Sequence, residues 1–96
     1  MVAYAIGRLQ VRNTEWREEY RAGTGPLVEK YGGTYIVRGG DMVRFEGGDG
    51  LPTMMVVIQF PTMEQAQAWH DDPDYQPLIK LRQTGSDMDM ILVEGV

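Results

Sequence analysis

The stretch "KYGGTYIVRGG", residues 30–40, places two glycine pairs around five residues that are typical of a β-strand. Gly32 predicts a left-handed C-terminal cap for a preceding helix, because glycine meets no steric penalty at positive φ. Gly33 then lets the chain reverse into the strand. The second glycine pair predicts a bulge or turn that aims Arg38 at the strand's exit. We therefore interpret the stretch as an element junction and as one wall of a small-molecule pocket.

The region before this junction predicts one strand and one helical region. Residues 2–11, "VAYAIGRLQV", have a small apolar side that suits a packed helix and a second side that ends polar. Asn13 is placed to cap the following helix, which carries an apolar stripe at near-helical spacing. Pro26 lies inside that helix and predicts a kink or a break into two helices.

The region after the junction predicts two further strands around a second helical region. "DMVRFEG", residues 41–47, is expected to continue extended. The apolar run "TMMVVIQF", residues 53–60, predicts a central strand that is covered on both faces. Thr62 and Gln65 have capping-box spacing and predict the start of a helix.

A second helix is expected to restart the chain at residues 72 and 73. Asp72 would cap it, with Pro73 at the first helical position, and Gly85 would end it. The closing strand, "DMDMILVEGV", alternates acidic residues with methionines at its start. One face of this strand is therefore expected to begin acidic.

The predicted order is β-α-β-β-α-β, with a broken second helical region. It is the order of an α+β, ferredoxin-like fold, in which helices cover one face of a four-stranded antiparallel sheet. The strands are apolar on both sides, so one apolar sheet face would stay bare in a monomer. We therefore expect a homodimer in which the two sheet faces meet and form an α+β barrel.

Composition excludes several classes of function. The 96 residues are expected to form one domain, residues 1–96, with a net charge of −5 and no basic run, which disfavours nucleic acid and anionic membranes as partners. The absence of cysteine excludes disulfides, a thiolate nucleophile and a Cys-ligated metal. No signal peptide or membrane helix is predicted, so we expect a cytoplasmic protein. No cofactor is implied.

Three segments resemble a known family when taken together. "EKYGGTYIVRGG", "VVIQFPTMEQAQAWHDDPDYQPLIKLR" and the terminal "ILVEGV" are similar to the DUF1330 family of small uncharacterised proteins. The resemblance extends from about Ala3 to Val96, and it implies the dimeric α+β barrel. It implies no reaction, because none is assigned to the family. The wider group of dimeric barrels includes cofactor-independent oxygenases, haem-degrading enzymes and lactone isomerases, so the fold alone does not predict a function.

His70 is the first candidate for chemistry. It stands where the family commonly has tyrosine, and it is the only histidine, so a metal site built from several histidines is excluded. We consider it either as a pocket acid or base, hence a candidate catalytic residue, or as a surface residue at a helix end.

Arginines and tyrosines are the candidates for ligand binding. Guanidinium groups of Arg8, Arg38 and Arg82 could grip a carboxylate in a bidentate manner, although 14 acidic residues offer alternative partners. Tyr35 and Tyr75 could present hydroxyl groups to a pocket or pack in the core. A small organic anion is the ligand that this set favours.

Three functions remain open at this point. The chain could be a cofactor-independent enzyme that acts on a small carboxylate or carbonyl compound, with proton transfer by His70 or a carboxylate and with Arg38 or Arg82 orienting the anion. It could be a non-catalytic binding or regulatory module that uses the same pocket. It could also serve assembly alone, in which case the barrel would be lined only by Met, Val and Leu.

Overall fold

The computed structural model describes residues 1–48 and 50–96 and contains a four-stranded antiparallel sheet with three helices. The strand order across the sheet is β2-β3-β1-β4, so β1 and β3 are central. This arrangement confirms the predicted ferredoxin-like fold and the broken second helical region. In chain order the elements are β1 (Ala3–Val11), α1 (Arg17–Lys30), β2 (Thr34–Arg38), β3 (Met54–Phe60), α2 (Met63–Asp71), α3 (Gln76–Gln83) and β4 (Ser86–Glu94).

The two faces of the sheet have different environments. The inner face, which the helices cover, contributes alternate residues of β1 and β3 to the core, among them Ala5, Val56 and Ile58. The outer face leaves Ile91 of β4 63% exposed, and Val57 of β3 is only half-buried. Within one chain the helices of the described residues cover β3 on its inner face alone, so the predicted cover of its outer face depends on a second copy.

The end of α1 follows the predicted glycine cap. Gly32 has a φ of +79°, and its N–H donates to the Glu29 carbonyl at 2.9 Å. The N–H of Gly33 donates to the Val28 carbonyl at 2.8 Å. These two bonds form a Schellman motif, which satisfies the last carbonyls of the helix and turns the chain into β2.

The start and the middle of α1 differ from the expectation. Asn13 does not cap the helix, which begins four residues later at Arg17; its Oδ1 instead accepts from the Glu15 N–H at 3.2 Å. Pro26 does not break the helix in two, since α1 runs on to Lys30. Ala22 and Pro26 are both exposed, so water can satisfy the Ala22 carbonyl that proline leaves without a donor.

The first helix of the second helical region starts where the sequence predicts. Thr62 is the N-cap of α2, and its Oγ1 accepts from the Gln65 N–H at 3.1 Å, as predicted. No helix of the described residues is long and apolar enough to span a membrane.

The helix predicted to start at Asp72 and Pro73 begins instead at Gln76, with a proline in its first turn. Asp72 is buried, and its carboxylate is used between elements. One oxygen accepts from the Asp74 N–H at 2.8 Å, and the other accepts from the Tyr31 hydroxyl at 2.6 Å and from Lys30 Nζ at 3.2 Å. These donors stabilise the buried carboxylate and hold its pKa below the usual value, the Tyr31 hydrogen bond contributing most.

Residues 41–48 do not form the extended continuation of β2 that the sequence suggested. They pair with no strand within the described part of the chain, and Phe45 is 95% exposed. Gly39 and Gly40 both have positive φ and turn the chain away from the sheet. The glycine and proline content of "GGDGLP", residues 47–52, predicts a loop, and Asp49 of this segment lies outside the described residues.

Candidate functional site

A small cavity lies between α1 and the inner face of the sheet, and we call it the helix–sheet cavity. Its volume is about 70 Å³. Its floor is apolar, and three arginines and two tyrosines stand among its walls. The lining consists of Leu9, Trp16, Arg17, Tyr20, Arg21, Gly25, Tyr35, Arg38, Met54, Val56, Ile58, Trp69, Met88 and Met90.

A β-bulge in β2 brings Tyr35 and Arg38 to this cavity together. Residues three apart on a regular strand point to opposite faces. Here Tyr35 pairs with Ile58 and Arg38 pairs with Val56, both inner-face positions, and the register shifts between them at Ile36. The bulge therefore precedes Arg38, whereas the sequence suggested one at the glycines that follow it. The Arg38 guanidinium lies 5.0 Å from the centre of the Tyr35 ring.

The first turns of α1 supply two further cations that the sequence analysis missed. Arg17 and Arg21 are four residues apart, so they lie on one side of the helix, next to Tyr20. The four-residue spacing of the two arginines is visible in the sequence, and it equals the spacing within the apolar stripe that faces the sheet. This match could have identified them as residues near the cavity. Arg17 Nη2 lies 3.4 Å from the Met54 sulfur, which fixes it at the cavity wall.

These cavity arginines have no ionic partner in the part of the chain that the structure describes. Among residues 1–48 and 50–96, no carboxylate oxygen lies within 4.0 Å of Arg17, Arg21 or Arg38. A guanidinium group that is not committed to a protein carboxylate keeps its paired N–H donors available for an anion. The cavity can therefore hold an anionic group at its mouth and an apolar group below it.

Tyr35 supplies a neutral hydroxyl at this cavity. Burial raises its pKa to about 12, and nearby Tyr20 acts in the same direction. Arg38 and Arg21 act in the opposite direction, because a cation favours the phenolate. Tyr35 is thus protonated at neutral pH and can donate a hydrogen bond.

Arg82 and Tyr75 lie behind the cavity wall, not in it. Arg82 is 6% exposed and Tyr75 is fully buried. Arg82 Nη1 donates to the Tyr20 hydroxyl at 3.1 Å and to the Tyr75 hydroxyl at 3.2 Å, and the two hydroxyl oxygens are 2.6 Å apart. Burial raises the pKa of Tyr75 strongly, and Arg82 offsets this only in part. These hydrogen bonds hold Tyr20 in place, and Tyr20 is the residue of the three that lines the cavity.

His70 lies at a neighbouring open groove between α2 and β4. The groove has a volume of about 560 Å³. The His70 ring is exposed and packs edge-on against Trp69 and Tyr75, with ring centres 5.8 and 5.7 Å apart. Trp69 and Met90 line both this groove and the helix–sheet cavity, so they form the wall between them.

Arg8 is not brought together with the other candidates. It lies on the outer face of the sheet, where its Nη2 contacts Asp89 Oδ2 at 3.1 Å, and both side chains are more than half exposed. The expected role of Arg8 in the pocket is therefore not supported by its position. In the part of the chain that the structure describes, no three His, Cys, Asp or Glu side chains cluster as a metal site requires.

Comparison with known families now adds to this geometry. The model of DUF1330, a domain of unknown function, matches residues 2–96. The chain belongs to the DUF1330 family. A comparison with curated proteins found no match.

Solved structures of similar proteins share this fold. The RPA0582 protein of unknown function from Rhodopseudomonas palustris is 19% identical, with a TM-score of 0.82 over 99% of this chain and 82% of its own. A dimeric ferredoxin-like protein of unknown function from Jannaschia sp. CCS1 is 12% identical, with a TM-score of 0.75 over 99% and 100%. SnoaB, a cofactor-independent oxygenase from Streptomyces nogalater, is 12% identical, with a TM-score of 0.67 over 99% and 93%. At these identities the likeness shows the fold alone.

Proposed function

We propose that this DUF1330 protein binds a small organic anion in the helix–sheet cavity. The observation that carries the proposal is the convergence of Arg17, Arg21 and Arg38, without carboxylate partners among the described residues, on a cavity with an apolar floor. The anionic group would contact the guanidinium groups, and the apolar part would pack between Trp16 and Met88. The neutral hydroxyl of Tyr35 would add a hydrogen bond donor.

The polarity of the cavity favours binding over a purely structural barrel. A protein that serves assembly alone has no need for several cations without carboxylate partners at a cavity on the helix-covered face of its sheet. Three arginines and two tyrosines among the lining residues are more than packing requires. Apolar walls with a few convergent polar groups are typical of small-molecule sites.

The test is binding of benzoate, a carboxylate with a small apolar body, measured by isothermal titration calorimetry. Arg38→Ala should weaken binding at least about tenfold, since a charge-assisted hydrogen bond contributes about 1.5–3 kcal/mol. Lys80→Ala is the matched control, because Lys80 is exposed on α3, away from the cavity. If benzoate does not bind, or binds both variants equally, the proposed site is wrong.

We also propose a homodimer through the outer face of the sheet. Tyr4, Ile6 and Val57 form the centre of this face, and Ile91 and Val93 extend it with exposed apolar surface. A second copy would cover this patch, as the dimeric Jannaschia relative suggests.

Light scattering tests the dimer against the 10.9 kDa mass of one chain. We expect twice that mass for the parent protein and a monomer for Ile91→Lys, because an unpaired lysine would be buried in the interface. Glu64→Lys on α2, which lies outside this face, should stay dimeric. A parent protein that is monomeric at micromolar concentration would overturn the proposal.

An enzyme is the second candidate function. His70 lines the open groove that shares Trp69 and Met90 with the cavity, so an acid or base lies near the apolar wall of the cavity. The cofactor-independent oxygenase among the structural neighbours shows that this fold can hold chemistry without a cofactor. A panel of small carboxylates and carbonyl compounds, followed by NMR, would reveal turnover. Loss of turnover with retained binding in His70→Gln would support catalysis, whereas unchanged turnover would exclude His70.

A further inference from the structure

A second groove borders the helix–sheet cavity at the side chains that line both, and we call it the arginine groove. Its volume is about 340 Å³. Arg17, Arg21, Arg38 and Met54 line both spaces, so the groove and the cavity share one boundary. The remaining lining residues are Val11, Arg12, Asn13, Thr14, Gly39, Gly40 and Thr53.

The charge of this groove is opposite to that of the whole protein. The chain carries a net charge of −5, yet four of its seven arginines line the arginine groove. None of the groove's described lining residues is acidic. A local excess of cations on an acidic protein creates a field that attracts anions to this one place.

Among the described residues, one of the four arginines has a carboxylate partner. Arg12 is paired with Asp87 and also donates to the Gln83 carbonyl. Arg17, Arg21 and Arg38 have no carboxylate within 4.0 Å among the described residues, although Glu18 lies near Arg17 and Arg21 at a shallow surface depression. A single carboxylate would therefore leave the site with excess positive charge.

We propose that the arginine groove binds the dianionic end of a phosphate monoester whose apolar body occupies the helix–sheet cavity. This inference rests on the proposed function, because the cavity must accept the apolar part. A phosphate monoester places two charges and three terminal oxygens on one group. The three arginines at the shared boundary supply forked N–H pairs that match such a group. Two separate carboxylates would spread the same charge away from that boundary.

The test compares three ligands with the same aromatic ring by isothermal titration calorimetry at pH 8 and low salt. Phenyl phosphate carries two charges, methyl phenyl phosphate carries one on the same phosphorus, and benzoate carries one on a carboxylate. We expect phenyl phosphate to bind at least about tenfold more tightly than either monoanion, because one more charge is neutralised without new protein contacts.

Arg21→Gln should remove most of this preference for the dianion. Arg21 is exposed, so its replacement is expected to leave the fold intact. Lys80→Gln removes the same charge at a distance from the groove and should keep the preference. Melting curves of both variants would confirm that they are folded.

The outcomes separate the two proposals. If benzoate binds as tightly as phenyl phosphate, the phosphate inference is wrong while the proposed anion site stands. If the parent protein binds phenyl phosphate more tightly than both monoanions, and Arg21→Gln abolishes this preference, the inference holds. If no ligand binds, both proposals fail.

Discussion

The protein contains two arginine–tyrosine pairs that differ in what surrounds them. In the first pair, Arg82 and Tyr75 are buried, and hydrogen bonds link Arg82 Nη1 to the hydroxyl groups of Tyr75 and Tyr20, while Arg82 Nε has no partner among the described residues. In the second pair, Arg38 lies over the ring of Tyr35 at the cavity, exposed and without a carboxylate partner among the described residues. The first pair is committed to the structure, and the second is available to a ligand. Burial, not residue type, decides between these roles.

Replacing the arginine of each pair by alanine should give the largest difference in stability between the two pairs. Arg82→Ala takes the donor from two phenol oxygens, and we expect it to lower the free energy of unfolding by about 2 kcal/mol. The value is a net one, because removing a buried cation also relieves its desolvation. Arg38→Ala should change the free energy by less than about 0.5 kcal/mol, as exposed substitutions usually do.

Thermal unfolding would measure this difference, since about 2 kcal/mol corresponds to a Tm shift of roughly 8–16 °C for a domain of this size. Equal melting temperatures for Arg82→Ala and Arg38→Ala would contradict the division into a structural and an available pair.

Loss of single hydroxyl groups should give a smaller contrast in the same direction. Tyr75→Phe removes a buried oxygen that accepts from Arg82, and we expect it to lower the free energy of unfolding by about 1.5 kcal/mol. The Tyr35 hydroxyl makes no hydrogen bond within the described part of the chain, so Tyr35→Phe should cost less than about 0.5 kcal/mol. Urea unfolding at pH 7 measures both values. A larger loss for Tyr35→Phe would reverse the comparison.

Titration of Tyr35 should give the finest distinction. Its pKa is raised to about 12, so the folded protein keeps a proton that the unfolded chain loses near pH 10. Tyr35 therefore contributes stability below pH 10 that is lost as the pH rises from about 10 to 12. Arg38→Gln should raise this pKa further, because Arg38 favours the phenolate.

Ultraviolet absorbance of the parent protein and of Tyr35→Phe isolates this transition. A Tyr35 component that titrates near pH 10 would show that the ring is more solvated than its position at the cavity implies.

Features that depend on neighbouring residues were predictable from the sequence. The Schellman motif at Gly32 and the cap at Thr62 are local, because a few adjacent residues determine the backbone conformation and the hydrogen bonds. The element order followed from the alternation of apolar patterns, which also supported the ferredoxin-like arrangement. Asp72 shows the limit of such reasoning. Its carboxylate has strong donors far away in the sequence, in Tyr31 and Lys30, and these compete with the helix cap.

The site was predictable only in part. Arg38 and Tyr35 both line the helix–sheet cavity, but their position on one face depends on a bulge that no local sequence pattern predicts. Arg82 was expected to contact a ligand, yet the packing of α3 buries it behind Tyr20. Arg8 faces away because β1 alternates, and its pairing with Asp89 comes from the register with β4. The register between distant strands and the depth of burial therefore decide the role of each side chain, which its residue type alone does not determine.

The bulge at Ile36 has a consequence for how the length of this chain can vary. Ile36 is the extra residue between Tyr35 and Val37, and it is about half exposed. Deleting it would restore plain alternation, with Tyr35 inward, Val37 outward and Arg38 inward, as they already are. We therefore expect the deletion variant to fold and to keep its affinity for benzoate, whereas deletion of Ile58 from the opposite strand β3 would shift every later β3 side chain to the other face. This edge strand can lose one residue and still present the same two side chains to the cavity.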